Sequence, residues 1–353
     1  MAQRKIIVIG ASAGGFEALK VLAGKLPADL EASIFVVWHM PADIRSVLPE
    51  VLNRHGSISA ANAYDKEPIK PNRIYVAPPD RHMLVEKDHV RVTRGPKENR
   101  FRPAVDPLFR SAAHSYGRQA IGVILSGALD DGTSGLWSIK HFGGVAVVQD
   151  PRDAEVPSMP ENALYEVEVD HVVPIDGMAE LLVRLSRESI DASDEIMEDS
   201  KLIETEIRIA EADNAFESGI MGLGKLSPFT CPECHGVLTE LKDGKRPRYR
   251  CHTGHAFSAD SLLANVTENI EDSMWSTIRG IEESIMLLDH MGRHFAEEKQ
   301  TELASLYFEK SGEAKQRVDI IREAVLRHEH LSTDRLRDLA GDGGDQKHSE
   351  AKR

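Results

Sequence analysis

The sequence predicts an α/β protein built on a doubly wound, mostly parallel sheet, and two observations carry the prediction. The stretches Ile6-Ile7-Val8-Ile9 and Ser33-Ile34-Phe35-Val36-Val37-Trp38 are rich in β-branched and aromatic residues with no polar alternation, the pattern of strands covered on both faces. Phe16 to Leu26, between them, spaces its apolar side chains as a helix does, so strand, helix and strand follow in order. A later strand, Ala120 to Ser126, repeats the pattern and runs into Gly127-Ala128-Leu129-Asp130-Asp131-Gly132-Thr133-Ser134-Gly135.

The first strand ends in Gly10-Ala11-Ser12-Ala13-Gly14-Gly15, which puts one serine at a glycine-flanked turn into a helix. Unpaired N–H groups and the positive end of the helix dipole there can stabilise an oxyanion. A dinucleotide-binding loop would need G-x-G-x-x-G and an acid after the second strand. Here Ser12 replaces the middle glycine, and the second strand ends in His39. Gly10-x-Ser12-x-Gly14 matches the nucleophile elbow of α/β-hydrolases, but in that fold the elbow is followed by acid and then histidine, whereas here the histidine comes second. The plain alternative is a serine that caps the helix. Open parallel sheets form their sites outside the carboxyl ends of the strands. Ser12, His39 and the Asp130-Asp131 turn all occupy such ends, and their coincidence points to nucleophilic catalysis.

Further stretches follow: Val37-Trp38-His39-Met40-Pro41, Ile74-Tyr75-Val76-Ala77-Pro78-Pro79-Asp80-Arg81-His82, Arg102-Pro103-Ala104-Val105-Asp106-Pro107-Leu108-Phe109, Leu125-Ser126-Gly127-Ala128-Leu129-Asp130-Asp131-Gly132 and Pro157-Ser158-Met159-Pro160. With the serine turn, these make residues 5 to about 185 resemble the catalytic domain of the chemotaxis protein-glutamate methylesterases, the CheB family. The resemblance implies a Rossmann-like methylesterase domain with Ser12 as nucleophile, His39 as general acid/base and Asp131 orienting His39. Asp131 is chosen over Asp130 because the family's aspartate directly precedes the glycine. The implied reaction is hydrolysis of glutamate γ-methyl esters with release of methanol, with glutamine deamidation as a side activity. Ala13 stands where many members have Thr, and Ala128 where many have Met; a backbone N–H could still donate to an oxyanion at either position.

Cys231-Pro232-Glu233-Cys234 and Cys251-His252-Thr253-Gly254-His255 hold all three cysteines, with 16 residues between Cys234 and Cys251. This is the spacing of a zinc ribbon, in which two knuckles supply four tetrahedral ligands. Cys231, Cys234, Cys251 and His255 are the expected ligands, with His252 in reserve. Four protein ligands leave no open position, so the expected Zn²⁺ is structural. The spacer holds Asp243-Gly244, a hairpin-turn signal, and a basic returning strand, Arg246 to Arg250. Three cysteines leave one unpaired in any disulfide scheme and no secretory signal precedes residue 5, so a reducing cytoplasm is expected. The segment also resembles the zinc-binding module that follows the methylesterase domain in some relatives.

The net charge of −14 argues against nucleic acid as the main partner, and no stretch approaches the length of a membrane span. Acidic residues between Glu188 and Glu217, Glu206 among them, read as a solvated linker or helix. Leu263, Val266, Ile270, Met274, Ile278, Ile281, Ile285 and Leu288 recur at helical steps; Leu303, Leu306, Val318, Ile321 and Val325 suggest a second helix after a break near Gly292. From Ser332 the sequence is polar and rich in Gly and Asp, as disordered tails are.

The expected organisation is a methylesterase domain over 1–185, an acidic helical linker over 186–225, a zinc-ribbon-like module over 226–258, a helical hairpin over 259–331 and a tail over 332–353. With four residues before residue 5, where the resemblance begins, no phosphorylatable receiver domain of the kind known in this family is expected; regulation would then come through the zinc segment and helices or a separate partner. The implied substrate is a methylated chemoreceptor-like protein. The alternative is an adaptor on the same fold that recruits a receptor methyltransferase or histidine kinase; the intact Ser12, His39 and Asp131 favour the enzyme.

Overall fold

The computed structural model describes residues 5–41, 46–190, 200–211, 215–242 and 247–333, with 2, 3, 335, 336 and 339. The chain divides into two compact units, 1–262 and 263–353. A seven-stranded sheet organises the first, in the order His171–Val173, Val145–Gln149, Ala120–Ile124, Ile6–Ala11, Ser33–Trp38, Arg73–Val76 and Ser59–Asn62, with every neighbouring pair parallel. The strand that comes first among these in sequence lies at the centre. Its sequence successor flanks it on one side and Ala120–Ile124 on the other, so the order reverses at the carboxyl end of Ile6–Ala11, where such sheets form their crevice.

The unbroken apolar run of that strand follows from burial on both faces. Ile7, Ile9 and Ala11 join Leu19, Leu22, Leu182 and Leu185 in one core, beneath helices Gly15–Lys25, Leu48–His55 and Ile175–Arg187. Ile6 and Val8 join Leu108, Phe109, Leu136 and Met159 in the other, beneath Val105–Tyr116, Thr133–His141 and Ser158–Glu166. Alternate side chains of one strand thus serve opposite layers.

The cysteine-bearing segment belongs to this same unit. It is an antiparallel sheet of Lys225–Thr230, Val237–Leu241, Arg248–Cys251 and Ala256–Ser258, closed over Leu238, Tyr249 and Phe257. The expected turn at Asp243-Gly244 and the start of the returning strand at Arg246 lie outside the described residues.

Two sequence expectations need correction. The acidic segment contains a helix, Ser200–Ala210, but its Glu206 is not solvated: the residue is 0% exposed and sits among Arg110, Arg248 and Arg250. Ile203 and Ile209 are buried beside it in sequence, so this helix packs rather than floats. In the second unit, the break expected near Gly292 is absent. One helix runs Ala259–Glu297, and the next, Thr301–Leu326, begins after a turn in which Lys299 takes a φ of 60°. Gly292 serves close approach instead: a Cβ there would stand 2.8 Å from the Phe308 ring. The pair closes over Ile278, Ile285, Ala314, Val318 and Val325, whereas Val266, Ile270 and Leu306 of the predicted apolar seams are exposed. Most of the predicted tail, 332–353, lies outside the described residues. No helix among the described residues is long and apolar enough to cross a membrane.

Candidate active site and metal centre

Ser12 is held at the reversal point by its backbone. Its N–H donates to Ser126 O (3.0 Å), and its carbonyl accepts from Gly15 N–H (3.0 Å) and the Trp38 indole (3.0 Å). Gly14, at φ 72°, makes the turn into the helix. Gly127 makes room from the facing loop, since a Cβ there would stand 2.8 Å from Ser12 Cβ.

The structure brings the three sequence-predicted residues together. His39 follows its strand immediately, and its N–H donates to Ala11 O (3.1 Å). Its Nδ1 lies 3.2 Å from Ser12 Oγ, and its Nε2 lies 2.8 Å from Asp131 Oδ2. The ring is stacked on Phe101, with centroids 3.8 Å apart and 11° between planes. A carboxylate on Nε2 selects the tautomer that carries its proton there, which leaves the Nδ1 lone pair facing the serine.

Asp131 is fully engaged. Besides His39, its Oδ2 accepts from Val105 N–H (2.7 Å); its Oδ1 accepts from Asn99 Nδ2 (2.9 Å) and Asp106 N–H (3.3 Å). Burial alone would push its proton affinity up, yet these bonds, that of His39 foremost, hold it below the usual carboxylate range. It is therefore ionised and faces an imidazole. Asp130 points elsewhere, accepting from Ser258 Oγ at 2.7 Å. Burial pushes Asp130 up to about 7, and burial together with the Asp131 charge pushes Asp106 up to about 7.

Asp130 yields a pH prediction. A carboxyl that binds its proton more tightly when folded loses stability as pH rises from its unfolded value, about 4, to its folded value of about 7. Asp130→Asn carries no charge at any pH. Its stability gain over the parent is expected to grow through that window and level off above it, reaching on the order of 4 kcal/mol, about 1.4 for each of roughly three pH units. Urea titrations spanning the window check this, and a pH-independent difference would contradict it.

A cleft of about 530 Å³ opens on Ser12 and His39, walled by Phe16, Trp38, Met40, Pro41 and Phe101 and edged by Asp80, Lys97, Arg100 and Arg102. Arg102 is fixed by Asp80 Oδ1 (2.9 and 2.6 Å) and Gly95 O (2.8 Å). No role for Asp80 or Arg102 follows from the sequence, and Asn99 and Phe101 belong to none of its motifs. The one signal for the last two is position, Phe101 directly and Asn99 three residues before Arg102-Pro103.

The second predicted group also assembles. One ligand atom from each of Cys231, Cys234, Cys251 and His255 lies within 4.8 Å of the others. Cys234 Sγ stands 3.6 Å from Cys251 Sγ, and His255 Nδ1 lies 3.7 Å from Cys231 Sγ and 3.6 Å from Cys251 Sγ. A tetrahedron with metal–sulfur bonds of about 2.3 Å has edges of about 3.8 Å, so this donor set could hold a metal ion. His252, the reserve, is not in the group.

Comparison with known proteins gives a consistent result. The family described as CheB methylesterase matches residues 7–182. A Leptospira interrogans protein, provisionally named protein-glutamate methylesterase/protein-glutamine glutaminase, is 41% identical over 186 residues, covering 52% of this chain and 96% of its own length. The similarly named protein 2 of Xanthomonas oryzae pv. oryzae is 40% identical over 189 residues, which cover 52% of each chain. This chain therefore spans about half the length of that relative. The crystal structure of the Thermotoga maritima CheB methylesterase catalytic domain matches with a TM-score of 0.50 and 34% identity, over 52% of this chain and 100% of that one. With nearly the whole Leptospira protein covered at that identity, the chain belongs to the CheB methylesterase family.

Proposed function

We infer that this protein hydrolyses glutamate γ-methyl esters on methylated chemoreceptor-like proteins, with Ser12 as nucleophile. The observation that carries the reading is the imidazole of His39 bridging Ser12 Oγ and the ionised Asp131. In this reading His39 Nδ1 takes the hydroxyl proton as Oγ attacks the ester carbonyl, and Asp131 stabilises the imidazolium that forms. His39 returns the proton to the leaving methoxide, methanol departs, and water repeats the cycle on the acyl-serine to release glutamate. A γ-amide in place of the ester would release ammonia, as the relatives' second name suggests. The Ser12 and Gly15 N–H groups are already committed. We therefore assign the oxyanion to the backbone N–H groups of Ala13 and Gly14, which line the cleft. Lys97, Arg100 and Arg102 edge the cleft with one acid, Asp80, which pairs with Arg102, and this excess of positive charge suits an acidic substrate segment.

We further propose that the Cys231, Cys234, Cys251 and His255 group holds Zn²⁺ in a structural role, since four protein donors fill a tetrahedral shell. The direct test of the enzymatic reading incubates the protein with a receptor cytoplasmic domain that has been enzymatically methylated. Sustained methanol release beyond one equivalent per chain is expected; binding without methanol would favour the adaptor reading.

A further inference from the structure

The ribbon and the esterase meet at Asn99, whose side chain is engaged on both sides. Its Nδ2 donates to Asp131 Oδ1 (2.9 Å) and to Asp106 Oδ2 (2.9 Å). Its Oδ1 accepts from the Ser258 N–H (3.0 Å) and from Ser261 Oγ (3.2 Å). The residue is 3% exposed and sits at φ 48°, a conformation that asparagine tolerates better than most residues. Its backbone is tied to the same ribbon strand: Asn99 N–H donates to Ala256 O (2.8 Å), and Ala256 N–H donates to Lys97 O (3.2 Å). That strand, Ala256–Ser258, begins one residue after His255 and is paired with the strand that ends in Cys251. Two residues beyond Asn99, Phe101 forms the face on which His39 is stacked.

We propose that Asn99 is a positioning residue for the catalytic acid, and that the ribbon strand Ala256–Ser258 is its scaffold, so that an ordered ribbon is required for full turnover. The proposal rests on the esterase reading for its kinetics and on the metal reading for its scaffold. Asn99 fixes one oxygen of Asp131 so that the other stays in line with His39 Nε2, and its donated hydrogen bond helps to keep that carboxylate charged. Because the Asn99 side chain runs from the ribbon to the acid, its loss acts on turnover more than on substrate binding, whereas loss of the whole strand, which also holds Lys97 O at the cleft edge, acts on both.

The test has a kinetic arm and an activity-independent arm. Asn99→Asp keeps the shape, the tolerance of positive φ and the acceptor for Ser258 N–H, but sets a carboxylate against Asp131. Turnover is expected to fall about 100-fold with KM changed less than about 3-fold, and the acidic limb of the pH–rate profile should move to higher pH. A folded Asn99→Asp protein with an unmoved limb would overturn the positioning role. Should that variant not fold, Ser261→Ala removes one of the two groups holding Asn99 Oδ1. It is expected to lower turnover about 3- to 10-fold with a limb shift of the same sign, and parental kinetics would overturn the proposal. In the second arm, zinc is removed from the full chain by chelation and restored, with metal content measured alongside hydrogen exchange. Exchange in 97–102 and 256–258 should rise together on removal and fall on return. Unchanged protection at 97–102 in metal-free protein would overturn the scaffold. Parental protein that releases no methanol, yet shows the coupled exchange, would instead mark failure of the esterase reading alone.

Discussion

Ser12→Ala is expected to lower methanol release on the order of 10⁵-fold while leaving the fold intact. The hydroxyl makes the new covalent bond in the proposed reaction, so its loss leaves only the cleft and the oxyanion donors, which together give a small residual rate. Stability should hardly change, because the turn is fixed by backbone groups: Ser12 N–H on Ser126 O, and Ser12 O under Gly15 N–H and the Trp38 indole. Substrate affinity should likewise stay close to the parent's. Steady-state kinetics with matched thermal melts check both statements. A large loss of stability would mean that the hydroxyl had been holding the turn together.

The largest expected loss of stability comes from Arg250→Ala. Arg250 is 0% exposed and joins three parts of the first unit: its Nη2 donates to Glu98 Oε1 and Glu206 Oε1 (2.8 Å each), its Nε to Glu206 (3.2 Å) and its Nη1 to Gly254 O (2.7 Å). Arg110 and Arg248 complete the cluster, Arg110 pairing with Glu98 and Arg248 with Glu206 at 3.0 Å. Burial acts to push the Glu206 carboxyl up, but the three guanidinium groups outweigh it and hold the carboxyl well below its usual range. Removing one cation from such a cluster costs about 3–5 kcal/mol, chiefly because buried carboxylates lose compensation. For a unit of this size that lowers the unfolding midpoint by about 6–20 °C. Arg250→Lys should not restore it, since one ammonium cannot reproduce the fork that spans Glu98, Glu206 and Gly254. Calorimetry on the three proteins decides the matter; an Arg250→Ala midpoint within about 2 °C of the parent's would contradict it. The contribution also has a pH sign. Because the Glu98 and Glu206 values are depressed on folding, their stabilisation is present above the unfolded carboxyl range and is lost as pH falls through the folded values.

The parts of this molecule legible in its sequence are those where chemistry sits beside a local pattern. Ser12 and His39 end or directly follow buried strands, Asp131 closes a glycine-rich turn after another, and the metal donors lie in two short knuckles. The sheet's parallel order followed from apolar runs that do not alternate. What stayed hidden depends on partners far apart in the chain. Asn99 is 159 residues from Ser258, and Arg250 is 152 from Glu98; neither has a local signature. Glu206 looked like one more acid on a solvated helix because its three arginines come from elsewhere. Gly292 looked like a helix break because the ring it accommodates, Phe308, belongs to the next helix.

The central claim is that Ser12 and His39 act as one catalytic unit, and a double-mutant cycle on methanol release tests it most directly. Residues that share one proton transfer lose nearly everything when either is removed, so their losses do not multiply. Ser12→Ala combined with His39→Ala is predicted to be no slower than Ser12→Ala alone. Losses that multiply, or a Ser12→Ala protein that keeps parental activity, would contradict the account and return Ser12 to the role of a residue that shapes the helix turn.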